Sequence, residues 1–149
     1  MGEGAHIVCT GCGGVNRVPE GRDPAAGKCG RCKKPLFDGH PAEVSTSMFD
    51  AIVSRGDTPV LVDFWATWCG PCRAMAPVFV KAAAELEPRV RLVKVDTDAE
   101  PELARRYVIR GVPTVALFSG GREAARRSGA MDLNSLLAWV GSHLGGPGD

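Results

Sequence analysis

Six cysteines fall into three pairs with one spacing: Cys9/Cys12, Cys29/Cys32 and Cys69/Cys72. Two thiols set two residues apart can close a disulfide on each other. They can also present two sulfurs to one metal ion. The residues flanking each pair decide between these chemistries.

Cys69 and Cys72 lie in Trp68-Cys69-Gly70-Pro71-Cys72, directly after the apolar run Val60–Trp65. The run reads as a buried strand, and the residues after Pro71 read as a helix. Cys69 then sits at a helix N-terminus, where unpaired N–H groups and the macrodipole favour negative charge. That environment lowers a thiol pKa and makes the reactive thiolate. Cys72, one turn later, is placed to close a disulfide on it. A CxxC beside a strand–helix unit is a redox signal. A chance CxxC or half of a metal site is the competing reading.

The other four cysteines have a different setting. Residues 1–40 are rich in Gly, Pro and charge, and their few apolar residues cannot build a core of ordinary size. Segments below about 40 residues generally need a metal or cross-links to fold. Cys9-x2-Cys12, sixteen residues, then Cys29-x2-Cys32 is a four-thiolate zinc spacing. With all four positions filled by Cys, no place is left for water, so a single Zn²⁺ here is structural rather than catalytic. Two disulfides or a second redox pair are the competing reading. Six cations against four acids make residues 1–40 mildly basic, but Phe37 is their only aromatic. A solvated face explains the charge better than a nucleic-acid site. His6, His40 and His143 show no partner spacing and read as surface residues.

Asp63 interrupts the apolar run, with six apolar neighbours around it. A solvent-facing carboxylate is the bland account; burial is favoured, and burial raises a carboxyl pKa toward neutrality. Asp63 is expected beneath the dithiol, with Lys94 of the next apolar run as its charge partner.

These residues need a scaffold. The patterns predict a linker at 38–41, a short strand at 43–44 and a helix capped by Ser45-Thr46-Ser47 that ends at Gly56. A strand at 60–65 comes next, then a helix over 71–87 burying Met75, Phe79, Ala83 and Leu86, kinked at Pro77. Beyond it lie a strand at 90–95, a short helix opened by Pro101, and a strand at 114–118. A Gly120-Gly121 hairpin leads to a returning strand at 122–128. An amphipathic helix over 133–144 precedes a tail, 145–149, expected to fray. This order implies an α/β fold with a mixed central sheet covered on both faces. A cis bond before Pro113 is open on sequence physics alone.

Composition excludes several classes. Net charge is +1, which argues against a nucleic-acid or membrane partner. No apolar stretch nears the roughly 20 residues that cross a bilayer. The N-terminus shows no secretory signal, so a reducing, cytoplasmic compartment is expected. No phosphate-binding glycine motif comes after a strand, so no bound nucleotide is expected.

Val62-Asp63-Phe64-Trp65-Ala66, Trp68-Cys69-Gly70-Pro71-Cys72 and Arg110-Gly111-Val112-Pro113-Thr114 together resemble the thioredoxin family. The Cys9–Cys32 segment, with Asn16-Arg17-Val18-Pro19 and Lys28-Cys29-Gly30-Arg31-Cys32, resembles its zinc-bearing bacterial branch, the thioredoxin 2 type. The resemblance spans about residues 7 to 144. It implies a thioredoxin fold over 41–149 and a small N-terminal zinc ribbon over 1–40. It implies protein-disulfide reduction, with Cys69 the exposed attacking thiolate and Cys72 the buried resolving thiol. Asp63 would exchange protons with Cys72, with Lys94 nearby. Trp65 would help frame the site. Trp68, Gly70, Pro71, Val112 and a cis Pro113 would meet the substrate. Disulfide-bearing client proteins and an NADPH-dependent thioredoxin reductase are the implied partners. A zinc-linked redox sensor and a client-binding or chaperone module are the alternatives.

Overall fold

The computed structural model describes residues 4–144. Residues 1–3 and 145–149, the latter expected to fray, lie outside the described residues. Two antiparallel strands open the chain, β1 (Ala5–Val8) and β2 (Val15–Val18). Five more form one sheet: β3 (Ala42–Glu43), β4 (Val60–Trp65), β5 (Arg91–Asp96), β6 (Thr114–Ser119) and β7 (Arg122–Ser128). Their order is β3-β5-β4-β6-β7, with β3, β5 and β4 parallel, β6 antiparallel to β4 and β7 antiparallel to β6. Four helices cover it: α1 (Thr46–Arg55), α2 (Gly70–Leu86), α3 (Pro101–Arg106) and α4 (Leu133–His143).

Period-two alternation divides β4 between two cores. Val60, Val62 and Phe64 face one side, where Phe49 and Ile52 of α1 and Leu103 of α3 close over them. Leu61 faces the other, against Met75, Phe79 and Ala83 of α2 and Leu136 and Val140 of α4. Asp63 and Trp65 share Leu61's parity, so Asp63 points to the face that α2 covers. Sequence patterning locates these elements to within a residue or two. It does not reveal β1 and β2, whose four-residue strands carry too few apolar positions to show a period.

The N-terminal segment does build a small core, of Ile7, Cys9, Val18, Cys29, Leu36 and Phe37. It is also docked. Val8 belongs to the core cluster that holds Phe49, Val60, Val93 and Phe118. The His6 carbonyl accepts the Asp57 amide at 2.9 Å. Arg91, only 4% exposed at the start of β5, donates to the Leu36 and Val8 carbonyls at 2.9 Å each. Its guanidinium stacks 3.9 Å from the Phe37 ring centroid. An arginine so placed meets two carbonyls that the ribbon cannot pair internally, which is why its burial is tolerated.

Candidate active site and four-cysteine cluster

Cys69 and Cys72 are joined as a disulfide, with their Cα atoms 5.2 Å apart. Cys69 is the N-cap of α2: its backbone is extended, and its Sγ accepts the Cys72 amide at 3.1 Å. Pro71 stands in the first helical turn, where its missing N–H costs no bond and its fixed φ suits a helix. A sulfur bonded by a helix-terminal N–H is stabilised as thiolate once the disulfide opens. The family resemblance implies an exposed Cys69; in this oxidised form it is 3% exposed. The bond to Cys72, packing with Ala66, Trp65 and Val112, and the Val112 carbonyl oxygen 3.6 Å from Sγ account for the cover.

The Val112–Pro113 peptide is cis, as the resemblance implies. Trp68 is 68% exposed, with its indole N–H donating to Asp98 at 3.0 Å. A shallow cavity of about 120 Å³ runs beside it, lined by Trp68, Thr97, Ile109, Arg110, Gly111 and Val112. Trp68, Val112 and the Cys69 turn thus form one surface at the end of the sheet. Gly70 and Pro71 belong to that turn, and Gly70 has open space where a side chain would stand.

Asp63 is 1% exposed, and neither carboxyl oxygen has a hydrogen-bond partner among the described residues. Burial pushes its carboxyl up to about 6; Lys94 works against that and Glu43 with it. Lys94 is its register partner on β5 and lies over the Trp65 ring, 4.8 Å from the centroid. Asp63 faces the same side as the buried α2 residues Cys72, Met75 and Phe79, spaced three and four apart. The dithiol helix, a carboxyl able to change protonation near neutrality and a cation therefore share one face of the sheet. Glu43, which sequence reasoning misses, completes this group from β3. Its strand is only two residues long and leaves no periodic signal.

The remaining cysteines form a second centre. The sulfurs of Cys9, Cys12, Cys29 and Cys32 all lie within 4.8 Å of one another. Each half is the same turn. The Cys9 amide bonds the Gly14 carbonyl and the Gly13 amide bonds the Cys9 carbonyl; Cys29, Lys34 and Lys33 repeat the pattern. The residue after the second cysteine is left-handed in both, Gly13 at φ +79° and Lys33 at φ +71°. That conformation reverses the chain after each pair, and backbone N–H groups within and after the pairs reach the sulfurs. Gly11 donates to Cys9 at 3.3 Å, Gly14 to Cys12 at 3.4 Å and Arg31 to Cys29 at 3.4 Å. The Cys32 backbone and then the Asn16 amide pull the Cys29 thiol down to about 6. Four converging sulfurs with N–H donors behind them suit a soft cation such as Zn²⁺.

Residues 40–142 match the Thioredoxin family. The chain belongs to that family. It is similar to Thioredoxin C-3 of Corynebacterium nephridii, 41% identical over 138 residues, 93% of this chain and 94% of that one. A match of that length takes in most of the N-terminal segment. Thioredoxin 1 of a Nostoc species is 44% identical over 103 residues, covering 69% of this chain and 96% of its own. Among solved structures, a mutant thioredoxin from Halobacterium salinarum NRC-1 superposes with a TM-score of 0.65 at 33% identity. It covers 72% of this chain and 93% of its own. The fold is the thioredoxin fold, and family membership carries thiol–disulfide oxidoreductase activity. No helix among the described residues is long and apolar enough to cross a membrane.

Proposed function

We propose that this protein reduces disulfides in client proteins. The observation that carries the reading is the Cys69–Cys72 pair at the N-terminus of α2, on the face that also buries an unpaired Asp63. The Cys69 thiolate attacks one sulfur of the client disulfide. The client's other sulfur leaves as thiolate and takes a proton from water. Cys72 gives its proton to the Asp63 carboxylate and attacks Cys69 Sγ. The second client sulfur leaves and is protonated in turn. Two electrons have passed to the client, and Cys69–Cys72 is oxidised. An NADPH-dependent thioredoxin reductase returns them. Lys94 tempers the charge on Asp63, while Trp68, Gly70, Pro71, Val112 and Pro113 receive the client backbone. A cytoplasmic setting fits an enzyme that works as a reductant.

Cys9, Cys12, Cys29 and Cys32 would hold one structural Zn²⁺, giving a ribbon over 1–40 and a redox unit over 41–149. The bound ion would supply cross-linking, not catalysis. Insulin reduction, followed by turbidity, tests the main reading: wild type turns over, and Cys69→Ser turning over equally well would end it. A second reading, a redox sensor in the ribbon, draws on the same four sulfurs: Cys9 and Cys32, and Cys12 and Cys29, stand 3.6 Å apart, near enough to pair on oxidation. It predicts zinc release at low peroxide; zinc retained under strong oxidant would remove it.

A further inference from the structure

Glu43, Lys94 and Asp63 form a row across three adjacent strands, Glu43 paired with Lys94 and Lys94 with Asp63. Paired residues on neighbouring strands project to one face, so Lys94 stands between two carboxylates. Asp63 is sealed, with no hydrogen-bond partner among the described residues. Glu43 lies on the edge strand, beside an open cleft of about 460 Å³ that it lines with Ser45, Trp65, Asp96 and Glu100. Its Oε2 accepts the Trp65 indole N–H and the Asp96 amide, at 3.2 Å each. Trp65 is thus held twice, at its N–H by Glu43 and on its ring face by Lys94. Trp65 in turn packs against the cluster of Ala66, Cys69 and Cys72.

We propose that Glu43 is a positioning residue for the dithiol chemistry: it anchors Trp65 against the disulfide cluster and shares the Lys94 charge. The buried Asp63 is then left only partly neutralised and exchanges its proton near neutrality. This rests on Asp63 serving as proton carrier for Cys72. The influences on Asp63 have the signs this requires. Burial is the largest influence raising its proton affinity, Lys94 lowers it and Glu43 raises it. β6 places Val115 opposite Asp63, α2 contributes the Cys72 thiol, and Asp96 adds a second negative charge beside Glu43.

The test is Glu43→Gln in the full-length, oxidised protein, where Cys69 and Cys72 do not titrate. Glutamine keeps an acceptor for the Trp65 indole and removes only the charge. Strand spacing puts the two carboxylates about 10 Å apart. At that range, loss of Glu43's charge lowers the Asp63 midpoint, read from its carboxyl ¹³C resonance, by roughly half a pH unit. A midpoint that stays or rises overturns the proposal and leaves the reductase reading intact. In the reduced protein the acid limb of client reduction moves down by the same amount. An acid limb that stays while the midpoint falls removes Asp63 from the proton path, and Glu43's bearing on the dithiol with it. Glu43→Met also removes the acceptor: the Trp65 indole N–H resonance then shifts and exchanges faster with solvent. An unchanged resonance overturns the anchoring role.

Discussion

The ribbon and the redox site use one cysteine spacing for opposite ends. In the ribbon, the residue after each second cysteine is left-handed, so the chain turns back, and backbone N–H groups within and after the pairs bond the sulfurs. At the redox site the residue after Cys72 continues α2, so one sulfur caps a helix and the other is carried into the protein beneath it. Spacing sets only which sulfurs can meet. The backbone beyond the second cysteine sets whether they face a third and fourth sulfur or a client.

Exchanging a cysteine on each side tests this division most directly. Cys69→Ser lowers insulin reduction by on the order of 10³-fold or more while leaving one zinc per chain. Cys29→Ser does the reverse, losing the metal while the rate of dithiol exchange stays within a factor of about three. Zinc content and turnover measured on the same two preparations check both. Loss of turnover in both variants would merge the two centres into one.

The join between the regions gives the next largest effect. Arg91→Ala removes two charge-assisted hydrogen bonds from buried carbonyls and the packing on Phe37. It lowers unfolding stability by about 3–5 kcal/mol, seen as a lower denaturant midpoint. Asp63→Asn acts in the opposite direction. The Asp63 carboxyl sits at about 6 in the fold and near ~3.9 in an open chain. The fold therefore favours its neutral form. That stability is complete below about pH 4 and is lost as pH rises through about 6. The asparagine variant is more stable than wild type by roughly 3 kcal/mol at about pH 8 and equal to it near pH ~3. Denaturant midpoints at the two pH values show it; a constant difference would mean that Asp63 is not the group that titrates.

The smallest effect refines the ribbon turns. A side chain added at Gly13 meets only the Met48 methyl at 3.9 Å, so Gly13→Ala costs only the left-handed backbone. That is about 1 kcal/mol of zinc-loaded stability. Lys33→Gly recovers a similar amount at the matching position, and the pair should shift chelator-competition midpoints in opposite directions.

Much of this is legible in sequence because local chemistry dominates it. A strand, a helix-capping cysteine and an apolar stripe at 75, 79, 83 and 86 are all short-range patterns. So is a carboxylate in an apolar run. The features that sequence does not show depend on distant partners. Arg91 reads as an ordinary charge at a strand edge; its burial comes from carbonyls 55 and 83 residues away. Glu43 gains meaning only when β5 lies between it and β4. Cys69 is covered by Val112, 43 residues on, so its local motif could not foretell its burial.

The insertion of Val8 into the larger core bears on the order of assembly. It joins a core cluster that also holds Phe49, Val93 and Phe118, and that cluster is complete only once most of the polypeptide has been synthesised. The four ribbon cysteines span just residues 9–32 and can gather around a metal long before that. Loop-closure entropy favours the near contacts first. A preformed knuckle then waits on the nascent chain and seats last.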